Sequence, residues 1–96
     1  MKKIFKWIYK PNGNCPVQSE GWFLNYFFYF RARGNYATIE FYNNKEDFYI
    51  GDAVISWYLK ETKQYDAGWL SKRVCYFLIS KGCLRFLFYR IFSNGN

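Results

Sequence analysis

The chain is 96 residues long, 26% of its residues are aromatic, none is histidine, and its formal net charge is +7. This length suits one domain, residues 1–96, with a single modest core and no room for a separate catalytic lobe. Without histidine the sequence lacks the commonest general base and metal ligand, and it has no glycine-rich phosphate-binding motif, so we predict no enzymatic activity, no cofactor and no metal site.

The N-terminal part of the sequence predicts strands separated by short turns. Residues 3–10 are rich in aromatic and β-branched side chains, which favours a first strand, and residues 11–14 predict a turn. Residues 17–24 and 27–33 predict two further strands, and Asn25-Tyr26 between them predicts the tight turn of a hairpin.

A further strand is predicted over residues 36–42, after a turn at Gly34-Asn35. Its side chains alternate, which predicts a core face of Ala37, Ile39 and Phe41 and a solvated face of Tyr36, Thr38, Glu40 and Tyr42. Gly21, inside the preceding hairpin, predicts a bulge or a close approach of another chain segment. Residues 17–42 are therefore expected to form an antiparallel meander.

The middle of the chain is less regular. Residues 43–47 predict a polar loop, and residues 62–68 predict a second loop. Between these loops helix and strand patterns compete, but apolar side chains alternate with polar ones over residues 53–60, which favours an edge strand.

The C-terminal part predicts a helix that begins after Ser71, a favourable N-cap. One helical face continues in phase through Gly82; its residues are Cys75, Leu78, Ile79, Gly82, Cys83, Phe86 and Leu87. We predict one helix through about residue 90; the alternative is a helix that stops at Gly82, followed by a strand over residues 84–92. The expected fold class is α+β: an antiparallel sheet of three to five strands with the C-terminal helix packed on one face.

Cysteine usage and hydropathy indicate a cellular compartment. Cys15, Cys75 and Cys83 are an odd number without C-x-x-C spacing, so they predict buried free thiols in a reducing cytoplasm rather than disulfides or a zinc site. Lysines interrupt the apolar stretch that a signal peptide would need, and residues 74–92 carry too many charges to span a membrane. We expect a cytoplasmic protein and no membrane partner.

The positive charge lies at the two ends of the chain. Residues 1–10 carry four basic residues and no acid, and residues 71–96 carry five basic residues and no acid. Residues 11–70 carry five basic and seven acidic residues, a net charge of −2. If the ends meet in space they form a basic patch for phosphate, anionic lipid or an acidic protein; the alternative is that the charge only maintains solubility.

One aromatic segment provides the candidate binding site. Seven of the fourteen residues 21–34 are aromatic, and the run closes on two arginines. Side chains two residues apart share one face of a strand, so we predict a contact surface of Phe27, Tyr29, Arg31 and Arg33 and a core face of Phe28, Phe30 and Ala32. Such a surface could stack bases and hold phosphates, although the residue order differs from the usual RNP1 motif. The structural alternative is that the arginines pair with Glu20 and Glu40 on neighbouring strands.

Three short motifs resemble a group of small proteins. They are C-P-V-Q-S-E-G at residues 15–21, F-Y-F-R-A-R-G at 28–34 and A-G-W-L at 67–70. Together they resemble small uncharacterised phage and bacterial proteins, over about residues 15–82. The resemblance implies a sheet-plus-helix domain of mobile-element origin, which would place it in the host cytoplasm. It carries no known activity and transfers no catalytic or binding residue.

These observations leave three hypotheses about function. The first is a non-catalytic protein-binding module, such as a phage or mobile-element inhibitor of a host complex, whose partner is another protein. The second is a nucleic-acid-binding protein that uses the basic aromatic sheet face. The third is a structural subunit of a larger assembly, in which the surplus aromatic rings are buried.

Overall fold

The computed structural model of the chain describes residues 4–14, 16–62, 67 and 70–93. Five strands form one antiparallel sheet in sequence order, and a long helix packs on its inner face. The elements are β1 (Phe5–Asn12), β2 (Val17–Phe23), β3 (Tyr26–Arg33), β4 (Tyr36–Tyr42), α1 (Lys45–Ile50), β5 (Ile55–Glu61) and α2 (Lys72–Ser93). This arrangement confirms the predicted α+β class, with five strands as the upper end of the expected range.

The hairpin between β2 and β3 turns one residue earlier than predicted. Leu24 and Asn25 adopt positive φ angles of 52° and 69°, and Phe23 pairs with Tyr26. A two-residue turn with positive φ at both positions matches the twist of the flanking strands, and asparagine tolerates that conformation. The predicted turn at Asn25-Tyr26 is therefore wrong by one position, because the sheet places Tyr26 in β3.

Gly21 confirms the predicted close approach. A Cβ atom at this position would lie 2.6 Å from the carbonyl oxygen of Lys6 and 2.7 Å from the ring of Phe28. Opposite Gly21, the pairing of β1 shifts between Trp7 and Tyr9. This irregularity turns Tyr9 to the outer face of the sheet, where its hydroxyl donates to Glu20, whereas Trp7 contacts inner-face rings.

The core lies between the inner face of the sheet and α2. The predicted core residues of β3 and β4 are fully buried; they are Phe28, Phe30, Ala32, Ala37, Ile39 and Phe41. The helix contributes a buried stripe of Cys75, Leu78, Ile79, Gly82, Cys83 and Phe86. The ring of Phe86 in the helix stacks on that of Phe41 in β4, with centroids 4.1 Å apart.

The helix α2 runs without a break through Gly82, which confirms the single long helix and excludes a strand over residues 84–92. A Cβ atom at Gly82 would lie 3.0 Å from Cγ2 of Ile39, so the small residue lets the helix approach the sheet closely. Ser71 is the predicted cap, because its Oγ accepts a hydrogen bond of 3.2 Å from the Val74 amide.

A second, short helix replaces most of the predicted polar loop at residues 43–47. The side chain of Asn44 accepts a hydrogen bond of 2.8 Å from the Asp47 amide, and Gly51 ends the helix with φ of 76°. This capping pair stabilises α1 at a place where a polar composition favours a loop. The predicted edge strand after it is confirmed as β5, while most of the predicted loop at 62–68 lies outside the described residues.

Candidate binding surfaces

The helix α1 covers one half of the outer sheet face. The ring of Phe48 lies 5.1 Å from Phe27, 5.0 Å from Tyr29 and 5.4 Å from Tyr42, centroid to centroid. Phe27 is completely buried as a result. It was predicted as a contact residue on strand alternation alone, and that assignment is wrong, because alternation gives the face of a side chain and not what covers that face.

Tyr29 is held inside a polar row beneath α1. The strand register places Glu20 and Glu40 on either side of it, and its hydroxyl accepts a hydrogen bond of 2.9 Å from the side-chain Nε2 of Gln18. Burial raises the pKa of Tyr29, against the opposing effect of the nearby Arg31 cation. Tyr29 is half-buried. It therefore helps to support the outer face of the sheet and does not offer a fully exposed ring to a ligand.

The two carboxylates of this row are occupied by other groups. The Tyr9 hydroxyl donates to Glu20 at 3.2 Å, and Lys45 lies 4.0 Å from the other oxygen of Glu20. The Tyr42 hydroxyl donates to Glu40 at 2.6 Å. Burial, together with the adjoining carboxylates, raises the pKa of both Tyr9 and Tyr42, so these hydroxyls remain protonated donors.

The arginines form no ion pair with either carboxylate in the part of the chain that the structure describes. Arg31 pairs in register with Gln18 and Thr38, one row away from Glu20 and Glu40. The structural alternative, in which Arg31 and Arg33 are neutralised by these acids, is therefore wrong.

The other half of the outer face is open and forms a groove of about 460 Å³. We call it the arginine–tyrosine groove; it is lined by Arg31, Arg33, Gly34, Asn35, Tyr36, Thr38 and Tyr58. The rings of Tyr36 and Tyr58 lie 4.9 Å apart, with 43% and 71% of these residues exposed. Arg33 is exposed, and the Nε atom of Arg31 is buried without a hydrogen-bond partner.

Two of the four predicted contact residues thus lie together in this groove, and two lie outside it. The tyrosines of the groove were not among the predicted contact residues. The alternation in β4 did place Tyr36 on the solvated face. The groove is completed by Tyr58, which pairs with Thr38 only because β5 joins β4, and alternation within one strand does not show this.

A second open surface runs along α2, on the side that faces away from the sheet. We call it the outer stripe; it consists of Phe77, Leu84, Phe88 and Ile91, each with 49–65% of its surface exposed. Their spacing of seven, four and three residues keeps them on one narrow face, as in the seam of a coiled coil. Most apolar residues of a helix this long are expected to be buried, so this stripe is unusual.

The cations of α2 divide into two groups. Arg85 lies over the ring of Trp57 at 4.4 Å and Arg90 lies over that of Tyr26 at 5.2 Å, so both are held against the sheet. Lys72, Arg73 and Lys81 are exposed. The helix contains no acidic residue. The outer stripe therefore lies in a positive environment.

The described ranges contain few other reactive or metal-ligating groups. Cys75 and Cys83 are buried free thiols, as predicted, whereas Cys15 lies outside the described residues. Burial raises the pKa of the Cys83 thiol to about 12, which makes it a poor nucleophile. Across these ranges, no cluster of three potential metal-ligating side chains occurs, and no helix has the length and apolarity to cross a membrane.

Comparison of the chain with protein-family models, with curated proteins and with solved structures finds no match.

Proposed function

We propose that this chain is a non-catalytic protein-binding module, whose outer stripe docks an acidic amphipathic segment of another protein. The observation that carries the proposal is the exposure of four large apolar side chains in one line along α2. Contiguous exposed apolar surface on a small protein is costly in water and marks an interaction site. The a/d-type spacing of the line fits a partner that presents a helix.

Charge selects the kind of partner. A second copy of the chain, docked stripe to stripe, would bring together two helices that carry five basic residues each and no acid. Their mutual repulsion disfavours a homodimer, whereas carboxylates beside an apolar seam would complement Arg73 and Lys81. The partner is therefore a different protein with acidic residues that flank its apolar contact.

The resemblance to small phage and bacterial proteins supports a finer form of the same proposal. Small chains from mobile elements often act by binding and blocking host machinery, and the outer stripe is the surface that this chain would use. The high positive charge argues against mimicry of DNA, so such an inhibitor would bind an acidic protein surface.

The test is affinity capture from a lysate of the source or host cells, followed by coupling of carboxylates to amines with a zero-length cross-linker. The wild-type chain is compared with the double variant Phe77→Ser/Leu84→Ser and with the control Tyr49→Ser/Ile50→Ser, which removes two exposed apolar residues of α1. We expect one protein to be retained by the wild type and the control, lost with the stripe variant, and cross-linked from Lys81 to an Asp or Glu.

Several outcomes would overturn this proposal. One is equal capture by both double variants, and another is a cross-link that maps away from α2. The third is stripe-dependent binding to anionic phospholipid vesicles without protein capture, which would identify a membrane surface as the ligand instead. If the isolated chain sediments as a dimer while the stripe variant sediments as a monomer, that result would also contradict an acidic partner.

A further inference from the structure

The arginine–tyrosine groove is a second feature that protein binding by α2 does not explain. It lies on the outer sheet face, opposite the face on which α2 packs, at the end where the β3–β4 turn and β5 meet. The helix α1 covers only the other half of that face, so the groove stays open to solvent.

Two cations define one side of the groove. Arg31 and Arg33 are two residues apart in β3 and therefore project from the same face. Neither forms an ion pair in the described part of the chain, and the buried Nε of Arg31 lacks a hydrogen-bond partner. Arg31 and Arg33 line the groove, so their guanidinium groups can donate to an acceptor that enters it. A phosphate supplies several such acceptors and a compensating charge.

Aromatic rings define the other side. Tyr36 and Tyr58 adjoin each other with centroids 4.9 Å apart, and most of Tyr58 is exposed. An exposed tyrosine ring beside arginines is a platform on which a nucleobase can stack. An acidic peptide would use the cations but would leave the rings uncovered.

From this juxtaposition we propose that the arginine–tyrosine groove binds a nucleotide unit of single-stranded nucleic acid, with a base on Tyr36 and Tyr58 and a phosphate at Arg31 and Arg33. Bases expose their faces only where a strand is unpaired, so duplexes are poor ligands. A groove of about 460 Å³ accommodates a ligand of about nucleotide size, with the strand continuing into solvent.

The experiment is a fluorescence-anisotropy titration of the full chain with a labelled twelve-residue oligothymidylate at two salt concentrations. One phosphate neutralised by the two arginines predicts an affinity loss of about two- to threefold between 50 and 200 mM salt. Tyr58→Ala, at an exposed position, should weaken binding by about fivefold or more through lost stacking. Its circular dichroism and melting temperature should match those of the wild type.

A matched pair of charge variants separates the groove from general electrostatics. Arg33→Ala and Arg73→Ala each remove one exposed cation, the first from the groove and the second from α2. Arg33→Ala should weaken binding severalfold and lower the salt dependence, whereas Arg73→Ala should change neither by more than about twofold. Phe77→Ser/Leu84→Ser should leave oligonucleotide binding intact, which separates this site from the outer stripe.

Several results would overturn the proposal. Equal losses with Arg33→Ala and Arg73→Ala would show binding by net charge alone. An unchanged affinity of the Tyr58→Ala variant would show that Tyr58 does not stack on a base. Competition by oligoglutamate as effective as by oligothymidylate would identify an acidic peptide as the ligand, and equal affinity for thymidine monophosphate would identify a free nucleotide rather than a strand.

Discussion

The ring of Phe86 in α2 lies parallel to that of Phe41 in β4, with 4.1 Å between the centroids and 7° between the planes. This stack holds the helix against β4, on the inner face of the sheet. Toward one edge Tyr76 contacts Trp7 of β1, and toward the other Tyr89 contacts Trp57 of β5. The helix therefore spans the sheet from its first strand to its last, and the outer stripe on its far side stays exposed.

Removal of the Phe86 ring should destabilise the protein strongly. Phe86→Ala leaves a cavity at a fully buried site, so the free energy of unfolding should fall by about 3–5 kcal/mol. Phe88→Ala, two residues further along the same helix, removes an exposed ring and should cost about 1 kcal/mol or less. Urea denaturation followed by circular dichroism measures both, and equal losses would contradict the described orientation of α2.

Gly21 should tolerate no side chain. Gly21→Ala places a methyl group against the Lys6 carbonyl and the Phe28 ring, and we expect a loss of about 1–3 kcal/mol in the free energy of unfolding. Gly51 is the control, because a Cβ atom there meets no atom within 4 Å and only its φ of 76° is special. Gly51→Asn should cost about 1 kcal/mol or less, since asparagine adopts that φ. A Gly21→Ala protein as stable as the wild type would refute the close approach.

Phe48 should stabilise the covered half of the outer face. Phe48→Ala removes a half-buried ring that contacts Phe27, Tyr29 and Tyr42, and we expect a loss of about 2 kcal/mol in thermal or urea unfolding. The neighbouring Ile50 is 75% exposed, and Ile50→Ala should change stability by no more than about 0.5 kcal/mol. If both variants unfold alike, α1 does not cover the sheet as described.

Stability should fall in alkaline solution, in part because of Cys83. Burial holds the pKa of its thiol at about 12 in the folded protein, above the ordinary value of 9.0. Between these values the unfolded chain loses the thiol proton while the folded chain keeps it, so the free energy of unfolding falls as pH rises above 9. The contribution of this one group between pH 8 and pH 10 is about 1 kcal/mol.

The variant Cys83→Ala isolates that contribution. Its stability at pH 8 will differ from that of the wild type because the core is altered, but its loss between pH 8 and pH 10 should be smaller by about 1 kcal/mol. Urea unfolding at the two pH values, with reductant present, gives the comparison. An equal loss of stability between pH 8 and pH 10 in both proteins would mean that the folded state does not hold the proton of the Cys83 thiol.

Local patterns in the sequence were sufficient for most of the secondary structure. The alternation in β3 and β4 correctly assigned Phe28, Phe30, Ile39 and Phe41 to the core, because strand geometry alone puts every second side chain on one face. The helical stripe through Gly82 likewise predicted α2, since apolar residues kept the helical period beyond the glycine. In both cases the signal is contained within a few successive residues.

The candidate site was only partly predictable for a physical reason. Arg31 and Arg33 were assigned to the outer face correctly, but Phe27 on the same face is buried by Phe48, which lies about twenty residues away in sequence. The helix that carries Phe48 forms because of the caps at Asn44 and Gly51, in a segment whose polar composition favours a loop. Alternation cannot show which half of a face a later element will cover.

The sequence by itself determined the fold class, the core face of the sheet, the length of α2 and the charge at the chain ends, because each depends on local periodicity or composition. The tertiary structure decided what is accessible. Pairing of β5 with β4 brought Tyr58 beside Tyr36 and Arg31, and the docking of α2 left Phe77 and Leu84 facing solvent. Both candidate binding surfaces depend on contacts between residues distant in sequence, which no local pattern encodes.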